Sequence, residues 1–331
     1  MEPPDLIRIS AGTAAALGLQ AIKTDTPPTT AYVLVGGKCR RNCAYCTQAA
    51  GSIAPPDRLS RVTWPVFTVE EVTGALAPQP PDHIRRICFQ STDSLESRSR
   101  LRLLIERFRN SVSRPLCASI SASGMDEVEE ILSLGVEIVG LSLDVASHRL
   151  YPNLRGGSLE GALSLLTGAA LRFPGRICAH LIAGLGETEK ELCQALQRLA
   201  DLGVVTALFA FTPLRGTPLA GGRPPSLESY RRIQAAHHLI RNGLIRDEDL
   251  SYREGSLSGF GPVRKDLREL LSDGEAFRTT GCPGCNRPFY NEKPGSLLYN
   301  FPRPLTGEET EASLAPVIGD GRPGHLPRGR P

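Results

Sequence analysis

Cysteines at 39, 43 and 46 sit on one glycine-flanked stretch, GGKCRRNCAYCTQA (36–49), directly after a short apolar run. Thiolates bind soft metals, and their number limits which centre they can hold. A structural zinc closes with four ligands built from CxxC pairs, and a redox dithiol needs two. An iron–sulfur cube normally takes four. Three thiolates at this spacing wrap three corners of a [4Fe–4S] cube and leave the fourth iron open to chelate something else. The same residues could instead complete a zinc site with a distant ligand, or pack as small hydrophobes.

Six more cysteines follow. Cys88, Cys117 and Cys178 each lie inside an apolar run (84–90, 115–121, 176–184), and three recurrences in equivalent contexts suggest that they face one interior together. Cys282 and Cys285 form a CPGC pair in a loop-rich stretch, which reads as a metal-ligand or redox pair. Cys193 falls in a helical pattern and is expected in the core.

The elements that must position these thiols alternate. Strand-like runs at 31–36, 84–90, 115–121, 136–144, 176–184 and 204–211 are separated by helical patterns at 68–77, 124–135, 158–173 and 187–203. A further helix at 226–243 precedes a possible seventh strand, 249–253. Repeated strand–helix alternation predicts an α/β fold with a parallel sheet, wound as a partial or complete (β/α) barrel or an open doubly wound sheet. Chemistry then belongs at the carboxyl ends of the strands, where the three-cysteine loop falls. The expected organisation is a helical N-terminal extension (1–28), a barrel (29–260), a C-terminal cysteine segment (261–305) and a loosely ordered, Pro/Gly-rich tail (306–331).

Bulk properties narrow the classes. The 331 residues carry 38 Lys and Arg against 35 Asp and Glu, which gives no argument for a nucleic-acid or membrane partner. The arginine-rich stretch 98–109 reads as a solvated helix face. No run approaches the roughly 20 apolar residues of a membrane helix, and the N-terminus lacks the plan of a secretory signal. A cytoplasmic protein is expected, in which nine cysteines point to metal or catalysis rather than disulfides.

Cys39-x3-Cys43-x2-Cys46, with Tyr45 before the last cysteine, resembles the motif of the radical S-adenosylmethionine (SAM) superfamily. The resemblance implies a radical SAM (β/α) TIM-type barrel. It also implies a [4Fe–4S] cluster whose open iron binds SAM, and a 5′-deoxyadenosyl radical that abstracts hydrogen from an unactivated C–H. HLIAGLGE (180–187) is similar to that family's GxIxGxxE adenine-packing strand, with Ile182, Gly184 and Glu187 matching and His180 in place of the first glycine. Gly36 and Gly37 would allow close backbone approach, and Asp144 and Arg155 would contact ribose and carboxylate.

A narrower resemblance, to biotin synthase, runs through the barrel. There three strand cysteines, matched by Cys88, Cys117 and Cys178, and an arginine hold an auxiliary cluster that donates sulfur. Arg253, on the expected seventh strand, lies near that arginine's place. Where biotin synthase has an asparagine-rich substrate segment, this chain reads GLSLD (140–144). The CPGCNRPFYNE stretch and the N-terminal RISAGTAAALGL instead resemble the two-component lipoyl synthases of archaea and some bacteria. That resemblance implies a sulfurtransferase acting on a protein-bound octanoyl chain. Its second, auxiliary cluster, expected as [4Fe–4S], would use Cys282 and Cys285. Its partners would be a lipoyl-carrier domain bearing octanoyl-lysine, a paralogous radical SAM subunit and a flavodoxin or ferredoxin electron donor. Biotin synthesis, another radical SAM reaction and a non-catalytic iron–sulfur electron carrier stay open as alternatives.

Overall fold

The computed structural model describes residues 5–77, 81–293 and 295–319. Its strands are β1 (Leu6–Ile9), β2 (Thr30–Val35), β3 (Arg58–Leu59), β4 (Val62–Thr63), β5 (Val66–Thr68), β6 (Arg86–Ser91), β7 (Leu116–Ile120), β8 (Ile138–Asp144), β9 (Ile177–Ala183), β10 (Val205–Ala210), β11 (Ser251–Arg253) and β12 (Ser256–Gly259). Between them run α1 (Ala11–Ala16), α2 (Val69–Leu76), α3 (Leu95–Ser111), α4 (Met125–Ser133), α5 (Tyr151–Leu154), α6 (Leu159–Arg172), α7 (Glu189–Asp201) and α8 (Leu227–Arg241). Two more helices, α9 (Leu267–Leu270) and α10 (Gly307–Ile318), follow the last strand.

Eight strands make one sheet in the order β10-β9-β8-β7-β6-β2-β1-β5. Every pairing from β10 to β2 is parallel, and β1 joins β2 and β5 antiparallel. β10 and β5 stay unpaired with each other, so the α/β sheet is an open barrel rather than a closed one.

Because side chains alternate along a strand, each parallel strand serves two interiors. Outward-facing Ile87 and Phe89 of β6 pack on the helices, where Phe89 meets Phe108 of α3 edge-on at 5.3 Å. Inward-facing Arg86, Cys88 and Gln90 line the barrel cavity. On β9, Ile177, Ala179 and Leu181 join the outer core while Cys178, His180 and Ile182 face inward.

Three segments differ from the sequence reading. The expected helical extension, 1–28, is not purely helical over its described residues 5–28: Ile7 and Ile9 alternate with Arg8 and Ser10, and β1 is a strand with both isoleucines buried. Residues 249–253 do not supply a seventh barrel strand. β11 turns onto β12 through Glu254 and Gly255, both at positive φ (50° and 80°), which makes a tight two-residue hairpin outside the sheet. Within the expected tail, Thr306 and Glu309 form a capping box and α10 buries Leu314 and Val317; residues 320–331 lie outside the described residues. Among the described residues no helix is long and apolar enough to cross a membrane.

Candidate metal centres

The three-cysteine loop leaves β2 at its carboxyl end. Gly36, at φ 89°, is required there, because a Cβ would collide with the hydroxyls of Ser97 and Thr92 at the start of α3. Gly37, by contrast, is exposed and meets nothing. The loop is pinned by backbone bonds from Cys39 N to Gln48 O (2.8 Å), Arg40 N to Asp93 O (2.9 Å) and Ala44 N to Leu154 O (2.8 Å). Two sulfurs already carry donors: Asp93 N reaches Cys39 Sγ at 3.3 Å, and Arg155 Nη1 reaches Cys43 Sγ at 3.0 Å. Burial pushes the Cys43 thiol up and Cys46 to about 12, so these sulfurs become anionic when a metal takes the proton's place. Among the described residues no three His, Cys, Asp or Glu side chains converge on a point where one metal ion could sit. Three soft thiolates presented by one loop are a donor set that fits three corners of an iron–sulfur cube.

Beside it, Tyr45 Oη donates to Asp144 Oδ2 at 2.7 Å, and Arg155 Nε pairs with the same oxygen at 3.1 Å. Asp144 sits at φ 62°, after a register shift between β8 and β9, and this irregularity aims its carboxylate into the cavity. Burial raises the Tyr45 phenol well above its ordinary value, so it stays a donor. Ile182 lines the same cavity, as does His180, whose Nδ1 lies 3.3 Å from Ser142 Oγ. Gly184 and Glu187 act differently. Glu187 accepts from Gly184 N (2.6 Å) and Leu185 N (3.0 Å), closing the turn after β9, and Gly184 at φ 100° has no room for a Cβ against Pro225.

The five remaining candidate ligands, on three strands and one C-terminal loop, meet at the other end of this cavity of about 210 Å³. Cys88 and Cys117 are register partners on β6 and β7, with Tyr32 of β2 beside Cys88; Cys178 pairs with Gly140. Cys178 and Ile182 are four residues apart on β9, about 13 Å at roughly 3.3 Å per residue. The CPGC segment crosses the open inner side to join them. Asn286 ties it to the chain before β2 (Thr29 N to Oδ1 2.9 Å, Nδ2 to Pro27 O 3.0 Å), and Thr280 and Asn291 bond Leu208 N and Ala210 O of the edge strand β10 (3.0 and 2.6 Å). Cys117 and Cys178 lie against Cys282, and hydrogen bonding among these thiols lowers Cys282 and raises the other two. Around the nest stand Gln90 on Cys88 (3.0 Å), Arg86 on Cys117 (3.0 Å), Tyr32 on Cys285 (3.0 Å) and Arg287 on Cys285 (3.4 Å). Sulfurs met by this many donors are suited to metal thiolates as well.

Arg253 is not part of this nest; it is exposed on the β11–β12 hairpin. The arginines that reach the thiols, Arg86 and Arg287, were not singled out in the sequence. Arg86 had a signal, since R-x-C-x-Q in 86–90 puts three polar side chains on one strand face. Arg287 had none, because its segment has no regular period. Cys193 is fully buried under α8, as a core residue.

No family model matches the chain. Over 193 residues it is 28% identical to a biotin synthase of Thermus thermophilus, covering 56% of each chain. Over 188 residues it is 27% identical to a lipoyl synthase of Haemophilus influenzae, covering 53% of this chain and 54% of that one. The chain thus spans about half the length of these curated relatives. Among solved structures, methylornithine synthase superposes with a TM-score of 0.51 at 15% identity, over 70% of this chain and 65% of that one.

Proposed function

We propose that this chain, a radical SAM superfamily protein with homologues among the biotin and lipoyl synthases, inserts sulfur into unactivated C–H bonds of an octanoyl chain held on a lysine of a lipoyl-carrier domain. One observation carries the reading: a single cavity is lined both by Cys46 of the three-thiol loop and by all five of the other candidate thiols, Cys88, Cys117, Cys178, Cys282 and Cys285. When bound, a [4Fe–4S] cluster and SAM supply a carbon radical able to abstract hydrogen, and an auxiliary cluster supplies sulfur.

The chain's own residues do the rest. Cys39, Cys43 and Cys46 hold the first cluster. Arg155 and Asp144 fix one another beside it and offer a guanidinium and a carboxylate to the carboxylate and ribose of SAM. Cys282 and Cys285, with Cys88, Cys117 and Cys178 around them, hold the second. Ile182, Phe209, Phe211 and Leu214 wall the space between, where an acyl chain with few polar handles is kept dry. The electron would come from a flavodoxin or ferredoxin in the cytoplasm, and a paralogous subunit would share the two insertions.

A second reading, biotin synthesis, is favoured by the alignment of Cys88, Cys117 and Cys178 on the strands. Against it, β8 carries Gly140 and Ser142 in place of an asparagine-rich segment, and the cavity's two side-chain amides are engaged, Gln90 with Cys88 and Asn291 with Ala210 O. Anaerobically reconstituted protein given octanoyl-lysine peptide, dethiobiotin, SAM and a reductant separates the two. Sulfurated peptide supports the lipoyl reading, and biotin formed in its place overturns it.

A further inference from the structure

Leaving the thiols aside, one cation of the cavity has, among the described residues, no carboxylate set against it. Among its lining residues Asp144 is the one carboxylate, and it is tied to Arg155 and Tyr45. Of the two guanidinium groups at the thiol end, Arg86 has Glu137 as partner at 2.8 Å. Arg287 has no carboxylate partner among the described residues; its guanidinium lies 4.2 Å over the Phe209 ring and donates only to Cys285 Sγ. A guanidinium does not deprotonate, and a cation facing an apolar cavity needs a counter-charge. Its position is built in. Arg287 adopts φ 32°, rare for a side-chain-bearing residue, and Gly281 leaves the space, since a Cβ there would come 2.8 Å from Arg287 Nη1.

We propose that Arg287 is the fixed counter-ion of the auxiliary centre. It is a positioning residue, not a ligand: its permanent charge offsets one unit of the anionic thiolate assembly and makes that assembly easier to reduce. The inference rests on the auxiliary centre of the preceding subsection. A buried positive charge near a redox group stabilises the reduced, more negative form, and the low dielectric of a dry cavity enlarges the effect.

The test is a redox titration followed by electron paramagnetic resonance, with iron and sulfide counting, on the full chain. The background is Cys39→Ala/Cys43→Ala/Cys46→Ala, so that only the second centre contributes. Arg287→Gln is expected to shift the reduction equilibrium at least tenfold towards the oxidised form, about 59 mV for one electron, while Arg287→Lys stays near the parent value. Loss of the centre's iron in Arg287→Gln but not in Arg287→Lys gives the same support. A Gln variant whose potential stays within twofold of the parent equilibrium overturns the inference alone, as does equal loss of iron in both variants. Failure of the parent to build any second centre overturns the auxiliary-centre reading and this inference with it.

Discussion

The two thiol sets are built in opposite ways. Cys39, Cys43 and Cys46 come from one loop, whose shape depends on Gly36, on a local bond to Gln48 and on backbone bonds to Asp93 beyond β6 and Leu154 beyond β8. The second set comes from three strands and a segment more than a hundred residues downstream, and meets only because the sheet register and the bonds of Asn286, Thr280 and Asn291 bring it together. A loop can form its site once its own ends are placed. An assembled nest depends on the whole barrel and on the closure of its open side, so the two should fail under different perturbations.

The largest effect is expected at the loop. Cys43→Ala removes one of three ligands with no substitute nearby, and reductive cleavage of SAM should fall to background while the second centre keeps its iron. Chromatography of 5′-deoxyadenosine together with iron analysis reads both. Survival of SAM cleavage in that variant would break the assignment of the loop. The converse variant, Cys282→Ala/Cys285→Ala, should lose about half of the iron and all sulfur insertion, yet still cleave SAM within a few-fold of the parent rate. Wild-type iron content in the double variant would leave the strand cysteines as sole holders of the second centre.

This contrast also decides what could be read from the sequence. The loop was legible because ligand number and spacing are adjacent in the chain, and Tyr45 stood beside them. The barrel was legible because parallel strands buried on both faces read as short apolar runs between helical periods. The strand cysteines could be suspected one by one, but no local pattern tells that Cys282 reaches between Cys117 and Cys178. Arg287 was invisible for the same reason. Elsewhere a local signal outweighs the pattern around it: SYREGSLSG (251–259) has strand character but pairs with itself, and T-x-x-E at 306–309 is a capping box inside a Pro/Gly-rich stretch.

A smaller effect separates the two ends by stability. Asp144→Asn deprives the buried Arg155 of its counter-charge, and breaking such a pair costs about 3–5 kcal/mol. Urea unfolding of the cluster-free protein should show it. Truncating a thiol of the nest, Cys178→Ala, leaves only a small void and should cost no more than about 1–2 kcal/mol. Equal losses would mean that the nest is as tightly coupled to the fold as the Tyr45–Asp144–Arg155 group.

The smallest effect concerns how the C-terminal segment is held. Thr279 N bonds Phe301 O at 3.0 Å, so the stretch that leads into CPGC is fastened two residues before Arg303, which pairs with Glu309 of α10 at 2.7 Å. That pairing, with the cap bonds from Thr306, lowers the Glu309 carboxyl to about 2. A group whose folded value is depressed contributes stability above its unfolded value, roughly 4.3, and loses it as the pH falls towards 2. The pair is partly open to solvent, with the two side chains 41% and 28% exposed, and screening keeps its worth to about 1 kcal/mol. Hydrogen exchange of the cluster-free protein, corrected for intrinsic rates, should therefore rise between pH 5 and pH 3 in residues 279–292 more than in residues 36–50. Glu309→Gln should show the raised exchange of 279–292 already at pH 5 and little further change on acidification. If both regions loosen together in the parent, the C-terminal anchor is not what distinguishes the nest from the loop, and the barrel itself is the acid-sensitive part.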